Sequence, residues 1–298
     1  MTEHRTPRVV AIGGGHGLAI TIRAVRQYAG HTTAIVSTAD DGGSTGRLRS
    51  AMAMPAPGDL RRCLAAMAGL DDDPLGLALE YRFAGTDVEG HALGNLMLAG
   101  LAAVTGDFLA ATDEMARLLG VDPGRGRVVP ATAEPVVLRG TTGAGTTVTG
   151  QVAVARTPGI ARVELDPPGV KPPEGVAGRI HQADQVVLGP GSLYTSVLAP
   201  LLVDDLRDAV ATTSAQRVYV CNLRAEAAET RGYDVARHVR ALRDHGVRAD
   251  VVLVQAGGQL RLGELDVPVA VADVARSHGL SHDSDRLGEA LAALLRSS

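Results

Sequence analysis

Residues 13–17 read Gly-Gly-Gly-His-Gly and follow a short apolar run, an arrangement typical of the phosphate-binding loops of α/β proteins. Glycine reaches positive φ values, so the backbone can approach a ligand closely, and a following helix directs free N–H groups at an anion. The stretch lacks the third glycine of the dinucleotide fingerprint and the Gly-Lys-Ser/Thr of a Walker loop. We predict that Gly13, Gly14, Gly15, His16 and Gly17 bind a phosphate group; the alternative is a strand-to-helix turn that only requires glycine.

Two adjacent acids, Asp40 and Asp41, end the second predicted strand. An acid at this place in a Rossmann unit accepts hydrogen bonds from a ribose, and paired carboxylates can hold Mg²⁺. An Asx turn or a helix cap is the structural alternative. The next residues, 42–47 (Gly-Gly-Ser-Thr-Gly-Arg), are predicted to form a second flexible loop of the same ligand site, in which Gly42, Gly43 and Ser44 are candidate ligand residues.

A third loop, Gly189-Pro-Gly191-Ser192, again separates a β pattern from a helical one. Ser192 is predicted to be the N-cap of the helix, with free N–H groups beside it. Taken alone, a plain cap explains this serine as well as a ligand contact does. The carboxyl edge of a parallel sheet is where open α/β folds bind ligands, and this position favours a role in binding for Gly189, Gly191 and Ser192.

Two further motifs contain polar groups at helix starts. Asp59 begins a predicted helix with Arg61 on its first turn, which indicates either capping or a charged wall of a pocket. His91 and Asn95 are four residues apart, a spacing that predicts a shared helix face. A lone helix histidine is usually structural, so Asp59 and Asn95 are retained as candidate ligand residues.

Alternating strands and helices must position these loops. The pattern predicts an α/β fold with a Rossmann-like, doubly wound, mostly parallel sheet, a helical layer and an antiparallel β insertion at about 128–165, all in one domain over 1–298. The predicted strands are 9–12, 33–38, 135–139, 146–154, 161–165, 185–188, 217–221, 250–254 and 267–272. The predicted helices are 18–28, 59–68, 74–81, 92–104, 107–119, 233–245 and 284–295.

Composition excludes several classes of protein. The net charge of −4 without a basic block disfavours nucleic acid as a partner. The N-terminus lacks an apolar signal-peptide core, and no apolar run is long enough for a membrane span, so a cytoplasmic location is expected. Cys63 and Cys221 fit no metal-binding spacing and are expected to be buried, reduced thiols.

Five blocks, taken together and in order, resemble the gluconeogenesis factor family, the YvcK-like branch of the superfamily that contains 2-phospho-L-lactate transferase. They are 13–17, 38–49 (Thr-Ala-Asp-Asp-Gly-Gly-Ser-Thr-Gly-Arg-Leu-Arg), 57–61 (Pro-Gly-Asp-Leu-Arg), 91–95 (His-Ala-Leu-Gly-Asn) and 189–196 (Gly-Pro-Gly-Ser-Leu-Tyr-Thr-Ser). The resemblance implies a UDP-glucose or UDP-N-acetylglucosamine ligand and a non-catalytic role in cell shape and peptidoglycan synthesis under gluconeogenic growth. It also implies a homodimer, with cell-wall synthesis proteins and a regulatory Ser/Thr kinase as partners.

Carried onto this chain, the resemblance implies a diphosphate against 13–17 and 189–192, with Asp40, Asp41, Asn95 and Asn222 lining the same cleft. No cofactor is assigned; if a metal ion binds, Asp40 and Asp41 are its candidate ligands and Mg²⁺ is the candidate ion.

The chain departs from the family pattern in three places. Residues 222–230 lack the Thr-Gln and the glycine of Asn-x-x-Thr-Gln-x-Gly-Glu-Thr, Ser281-His282-Asp283 stands where Arg-His-Asp is expected, and a tyrosine is missing near Leu262. These departures bear on ligand affinity and choice if the family residues there hold the uracil or the sugar.

Two enzyme functions remain as alternatives. A Mg²⁺-dependent transferase of a phospholactyl or phosphoenolpyruvyl-type group to a deazaflavin-like acceptor is disfavoured, because two Phe, five Tyr and no Trp offer little surface to stack a flavin-like ring. An NAD(P)-binding oxidoreductase is disfavoured by the missing fingerprint glycine and by the second glycine loop.

Overall fold

The structure is a computed structural model that describes residues 6–85 and 87–296. Within these residues a seven-stranded sheet contains β1 (Arg8–Gly13), β2 (His31–Val36), β3 (Gly126–Pro130), β7 (Gln185–Leu188), β8 (Gln216–Val220), β9 (Val251–Gln255) and β10 (Val269–Ala272). A three-stranded sheet contains β4 (Val137–Thr142), β5 (Thr147–Thr149) and β6 (Ile160–Asp166).

Helices cover the large sheet and connect its strands. They are α1 (Gly15–Val25), α2 (Gly43–Met52), α3 (Gly58–Ala68), α4 (Pro74–Glu80), α5 (Leu93–Thr105), α6 (Phe108–Leu118), α7 (Gln151–Arg156), α8 (Val176–His181), α9 (Asp204–Thr212), α10 (Val235–Asp244) and α11 (Ser284–Arg296). A π-helical turn at Leu193–Leu198 and a 3-10 turn at Ala199–Leu202 follow β7. No helix in the described ranges is long and apolar enough to cross a membrane.

The large sheet is parallel and has the order β10-β9-β8-β7-β1-β2-β3. The chain runs outward from β1 through β2 to β3, then returns to β7 and runs outward in the opposite direction. The strand order therefore reverses between β1 and β7, which is the arrangement of a doubly wound fold. The predicted α/β fold class is confirmed.

Strand β1 is apolar from Val9 to Ile12 because both of its faces are buried there. Val10 and Ile12 pack into a cluster that includes Leu138 of the small sheet. Val9 and Ala11 face the opposite side, where they pack in two clusters with residues of α1, α3 and α11. The insertion thus covers one face of the large sheet and shares its core.

The insertion is shorter and less regular than the sequence pattern predicts. Residues 128 and 129 belong to β3, which pairs in parallel with β2, so antiparallel pairing begins only at Val137. The predicted strand 146–154 is wrong beyond Thr149, because Gly150 with φ +103° turns the chain into α7.

Candidate functional site

The two predicted phosphate loops lie side by side where the strand order reverses. Loop 13–17 leaves the carboxyl end of β1, loop 189–192 leaves the carboxyl end of β7, and these strands are neighbours. In open α/β sheets this crevice is the position where ligands bind. His16 is exposed and Gly15, Gly17, Gly191 and Ser192 are half-buried, so the backbone of both loops is accessible to a ligand.

The loops touch, and glycine makes the contact possible. A Cβ atom on Gly17 would overlap the backbone carbonyl of Pro190, which leaves no room for a side chain. The Thr21 hydroxyl donates to the carbonyl oxygen of Gly189 over 2.7 Å and holds the second loop against α1. The helix begins at Gly15, earlier than predicted, so Gly15, His16 and Gly17 form its first turn.

The carboxylate of Asp59 contacts the backbone of the first loop. A Cβ atom on Gly14 would lie 2.8 Å from Oδ2 of Asp59, and the Gly15 amide donates to this carboxylate. Burial, followed by the charge of Asp40, raises the pKa of Asp59 to about 6, while Arg62 at 3.1 Å opposes the rise. Asp59 therefore changes charge near neutral pH, directly beneath the predicted phosphate loop.

The two adjacent acids have different environments. Asp40 accepts the Gly42 amide over 3.0 Å and its Oδ2 lies beside Gly58, so it faces Asp59. Asp41 turns to the insertion, where its Oδ1 accepts the Val152 amide over 2.9 Å in the first turn of α7. The structure thus separates the paired ligands that the sequence suggested and brings Asp40 near Asp59 instead.

Ser44 and Asn95 belong to a buried polar chain. Fully buried Arg61 donates to both Glu80 oxygens, at 3.1 and 2.6 Å, and to Asn95 Oδ1 at 2.9 Å. Asn95 Nδ2 donates to Ser44 Oγ over 3.1 Å. Ser44 and Asn95 are 2% and 1% exposed, so they fix α2 against α5 behind the cleft wall.

Two local predictions around this chain are wrong. Residues 43–52 form α2 instead of a flexible loop, with Gly42 as the N-cap and Gly43 at φ +47° as the first residue. His91 precedes α5, whose N-cap is Ala92, so it shares no helix face with Asn95. His91 Nδ1 nevertheless lies 3.1 Å from Ser44 Oγ, so both residues of the motif meet the same hydroxyl.

Ser192 does not cap the turn that follows β7. Its hydroxyl donates to Glu226 over 2.7 Å, and the Tyr194 and Thr195 amides donate to Glu229 Oε1 over 2.5 and 2.9 Å. The free N–H groups expected beside Ser192 are therefore partly taken by a carboxylate of the chain itself. No local sequence signal predicts this contact, because Glu229 lies far along the chain.

Burial raises the pKa of Glu229 to about 8, and the next causes are the hydrogen bond that protonated Glu229 donates to Glu226 and the charge of Glu226. Glu226 stands at the place of the glutamine in the family pattern described above. The substitution thus puts a second acid beside a buried carboxyl group, directly behind the second loop.

Asn222 has a positioning role in this loop, since its Oδ1 accepts the Gly191 amide over 3.1 Å. It also lines a cavity of about 200 Å³ at the ends of β8 and β9, together with Leu223, Gln255 and Leu262. A larger cavity of about 760 Å³ lies against α2 and is lined by Asp41, Gly43 and Arg47, among others. The two touching loops follow β1 and β7, which lie between β2 and β8 in the sheet. The larger cavity adjoins the end of β2, and the smaller cavity adjoins the end of β8.

Near the C-terminus, His282 and Asp283 match the family pattern and have structural roles, whereas Ser281 and Leu262 depart from it. His282 is buried and bonded to the backbone of Cys221, and burial lowers its pKa to about 4, so it is neutral at physiological pH. Asp283 Oδ1 accepts the amides of Asp285 and Arg286 at the start of α11. Leu262, where a tyrosine was expected, lines the recess beside Asn222 at the carboxyl edge.

The candidate metal ligands at the switch point are a pair of carboxylates. Within residues 6–85 and 87–296, no three His, Cys, Asp or Glu side chains are grouped closely enough to hold a metal ion. Mg²⁺ commonly binds one or two carboxylates together with substrate phosphates and water. Asp40 and Asp59 have the composition for such a site.

Comparison with known proteins gives a consistent result. Residues 9–291 match the family described as 2-phospho-L-lactate transferase CofD. The gluconeogenesis factor of Halalkalibacterium halodurans is 41% identical over 250 residues, covering 82% of this chain and 76% of the relative. That of Bacillus subtilis is 42% identical over 242 residues, covering 80% and 75%. A crystal structure of a UPF0052 family member from Bacillus halodurans superposes with a TM-score of 0.90 at 35% identity, covering 96% of this chain and 99% of that one.

Proposed function

Because the chain belongs to the 2-phospho-L-lactate transferase CofD family and is similar to proteins named gluconeogenesis factor, we propose that it binds a nucleotide sugar at the switch point. Family membership confirms the resemblance found in the sequence. The proposed ligand is UDP-glucose or UDP-N-acetylglucosamine. The proposed role is that of a cytoplasmic, non-catalytic regulator of cell shape and cell-wall synthesis during growth on gluconeogenic carbon sources. Its proposed protein partners are a second copy of the chain, cell-wall synthesis proteins and a regulatory Ser/Thr kinase.

The contact between the two glycine loops carries this proposal. Two backbone segments with accessible amides meet between β1 and β7, where a doubly wound sheet binds its ligand. Backbone N–H groups at a helix start favour a phosphate group. Because Glu229 takes the Tyr194 and Thr195 amides and Asp59 takes the Gly15 amide, the remaining donors are those of 16–17 and of 192–193.

The neighbouring cavities support an extended ligand. The recess of about 200 Å³ beside Asn222 and Leu262 is mostly apolar in its side chains, which suits the nucleobase half. The open cavity beside α2 is polar at Arg47 and Asp41, which suits the hydroxyl groups of a sugar. A diphosphate would join the two halves at the loops.

Mg²⁺ is a proposed companion of the diphosphate. Asp40 and Asp59 would hold it, and it would neutralise phosphate charge when bound. Without a metal ion, the Asp40 carboxylate repels a diphosphate. The effect of replacing Asp40 on ligand affinity should therefore differ between titrations with and without Mg²⁺.

A transferase function is the second candidate. The name of the matched family and the Asp40–Asp59 pair favour it, since carboxylates beside a phosphate loop can orient a phosphorylated substrate. Turnover of a phosphorylated small acid with a deazaflavin-like acceptor would support this candidate. Purified protein that shows no turnover with such substrates would remove it.

Isothermal titration with UDP-glucose and UDP-N-acetylglucosamine, with and without Mg²⁺, tests the proposal. Asp40→Asn is expected to weaken Mg²⁺-dependent binding by about tenfold, equivalent to about 1.4 kcal/mol. The matched control Asp72→Asn makes the same change at an exposed position after α3 and keeps its affinity. Absence of binding to either UDP-sugar at millimolar concentration would rule the proposal out, and equal weakening by both substitutions would contradict the assignment of Asp40.

A further inference from the structure

A second polar cleft lies away from the glycine loops, between α10 and the small sheet. Its volume is about 330 Å³, within the range of small-molecule sites. Glycines 143 and 159 form one wall, and Arg237 and Arg240 of α10 form the other, with Arg231 at the end. Neither glycine loop lines this cleft.

The three arginines have guanidinium groups available for a ligand. Among the described residues no carboxylate lies within 4.0 Å of any of them, whereas ten other arginines of these residues are paired with an acid. Arg231 uses only Nε, which donates to the Ala227 carbonyl over 2.7 Å. Arg237 and Arg240 are three residues apart and therefore share a face of α10.

Two tyrosines complete the lining and hold part of it in place. The Arg237 guanidinium lies 4.3 Å from the centre of the Tyr233 ring, a cation–π contact that orients its N–H groups. The hydroxyl groups of Tyr194 and Tyr233 are 3.0 Å apart. Only one of the two donates in that bond, so one phenolic hydrogen remains for an acceptor in the cleft.

The charge balance in the cleft is positive. Asp244 and Glu229 also line it, but the Glu229 carboxyl already accepts two backbone amides. The high pKa of Glu229 keeps it largely protonated at pH 7, because it is buried beside Glu226. Three guanidinium groups then face one full negative charge.

We propose that this cleft is a second anion site, which takes a small molecule bearing phosphoryl groups. Guanidinium groups bind phosphoryl oxygens through paired, charge-assisted hydrogen bonds, and the spare phenolic hydrogen adds a neutral donor. The assignment rests on the contacts of α10 and Tyr194 and is independent of the nucleotide-sugar proposal.

Titration with inorganic pyrophosphate at constant ionic strength tests the assignment. Arg237→Gln/Arg240→Gln should weaken binding at this site at least tenfold. Arg276→Gln/Arg296→Gln removes the same charge from exposed positions that do not line the cleft and should leave the affinity unchanged. Thermal unfolding of each variant verifies that it is folded.

Pyrophosphate can also occupy the switch-point loops, so the titration is repeated with UDP-N-acetylglucosamine present. Pyrophosphate binding that persists in the presence of UDP-N-acetylglucosamine, and that is lost only in the Arg237→Gln/Arg240→Gln variant, supports the second site. If both double variants bind as the unsubstituted protein does, or if pyrophosphate binds none of the three proteins, the second site is refuted. These outcomes do not depend on whether the UDP-sugar itself binds.

Discussion

Replacing Glu226 by glutamine removes the carboxylate beside buried Glu229 and keeps a side chain of nearly the same size. Glu229 is 1% exposed, and burial together with Glu226 raises its pKa to about 8 from an ordinary value of 4.5. Glutamine can still accept the Ser192 hydroxyl, and its amide can donate to the Glu229 carboxylate. The substitution should therefore lower the pKa of Glu229.

The sign of the stability change follows from proton binding. Between pH 4.5 and about 8, Glu229 is protonated in the folded protein and ionised in the unfolded chain. The folded state holds more protons over this interval, so the free energy of unfolding falls as pH rises. The interval corresponds to at most about 5 kcal/mol, at ~1.4 kcal/mol per pKa unit.

Glu226→Gln should reduce this loss of stability. At pH 8.5 we expect the free energy of unfolding to be about 1–3 kcal/mol higher than in the unsubstituted protein, with a difference below about 0.5 kcal/mol at pH 5. Urea unfolding followed by circular dichroism at several pH values measures this difference. Glu289→Gln makes the same chemical change on an exposed face of α11 and serves as the control. Identical pH slopes for Glu226→Gln and the unsubstituted protein would refute the reasoning.

Two further predictions concern packing and thiol reactivity. Gly17→Ala should lower the free energy of unfolding in urea by about 1–3 kcal/mol, because the added methyl group overlaps the Pro190 backbone. Gly100→Ala, at an exposed helix position with open space around it, should leave stability unchanged or raise it. Equal effects of the two substitutions would contradict the loop contact. Burial raises the pKa of the Cys63 thiol, and that of Cys221 to about 12, so neither should react with iodoacetamide at pH 8 until urea unfolds the protein. Mass spectrometry that finds rapid alkylation of the native chain would contradict this burial.

Periodicity and glycine placement were sufficient to predict the doubly wound sheet. The short, β-branched apolar run at Val9–Ile12 is typical of a strand buried on both faces, and the glycines after it mark the loop. The boundary error at Thr149 has a local cause, since alternation continues past Gly150 although the backbone turns there. Pattern alone also could not tell that Val128 pairs with β2, because pairing is a long-range property.

The sequence predicted many of the residues at the site but not the contacts that their side chains make. Side chains with two plausible roles were separated only by tertiary contacts, as when the insertion engaged Asp41 and left Asp40 facing Asp59. Ser192 has the sequence of a cap, yet distant Glu226 accepts its hydroxyl hydrogen. Glu229 itself was missed as part of the site, because an acid in a polar loop gives no sign of burial.

Mapping of backbone amide shifts by ¹H–¹⁵N NMR during titration with UDP-N-acetylglucosamine tests the central claim most directly. Diphosphate binding at the switch point predicts the largest changes at the amides of 16–17 and 192–193, with smaller changes in the recess beside Asn222. Gly106, in the open turn after α5, should not respond. Saturable shifts confined to residues outside both loops, or no shifts at millimolar ligand, would contradict the account.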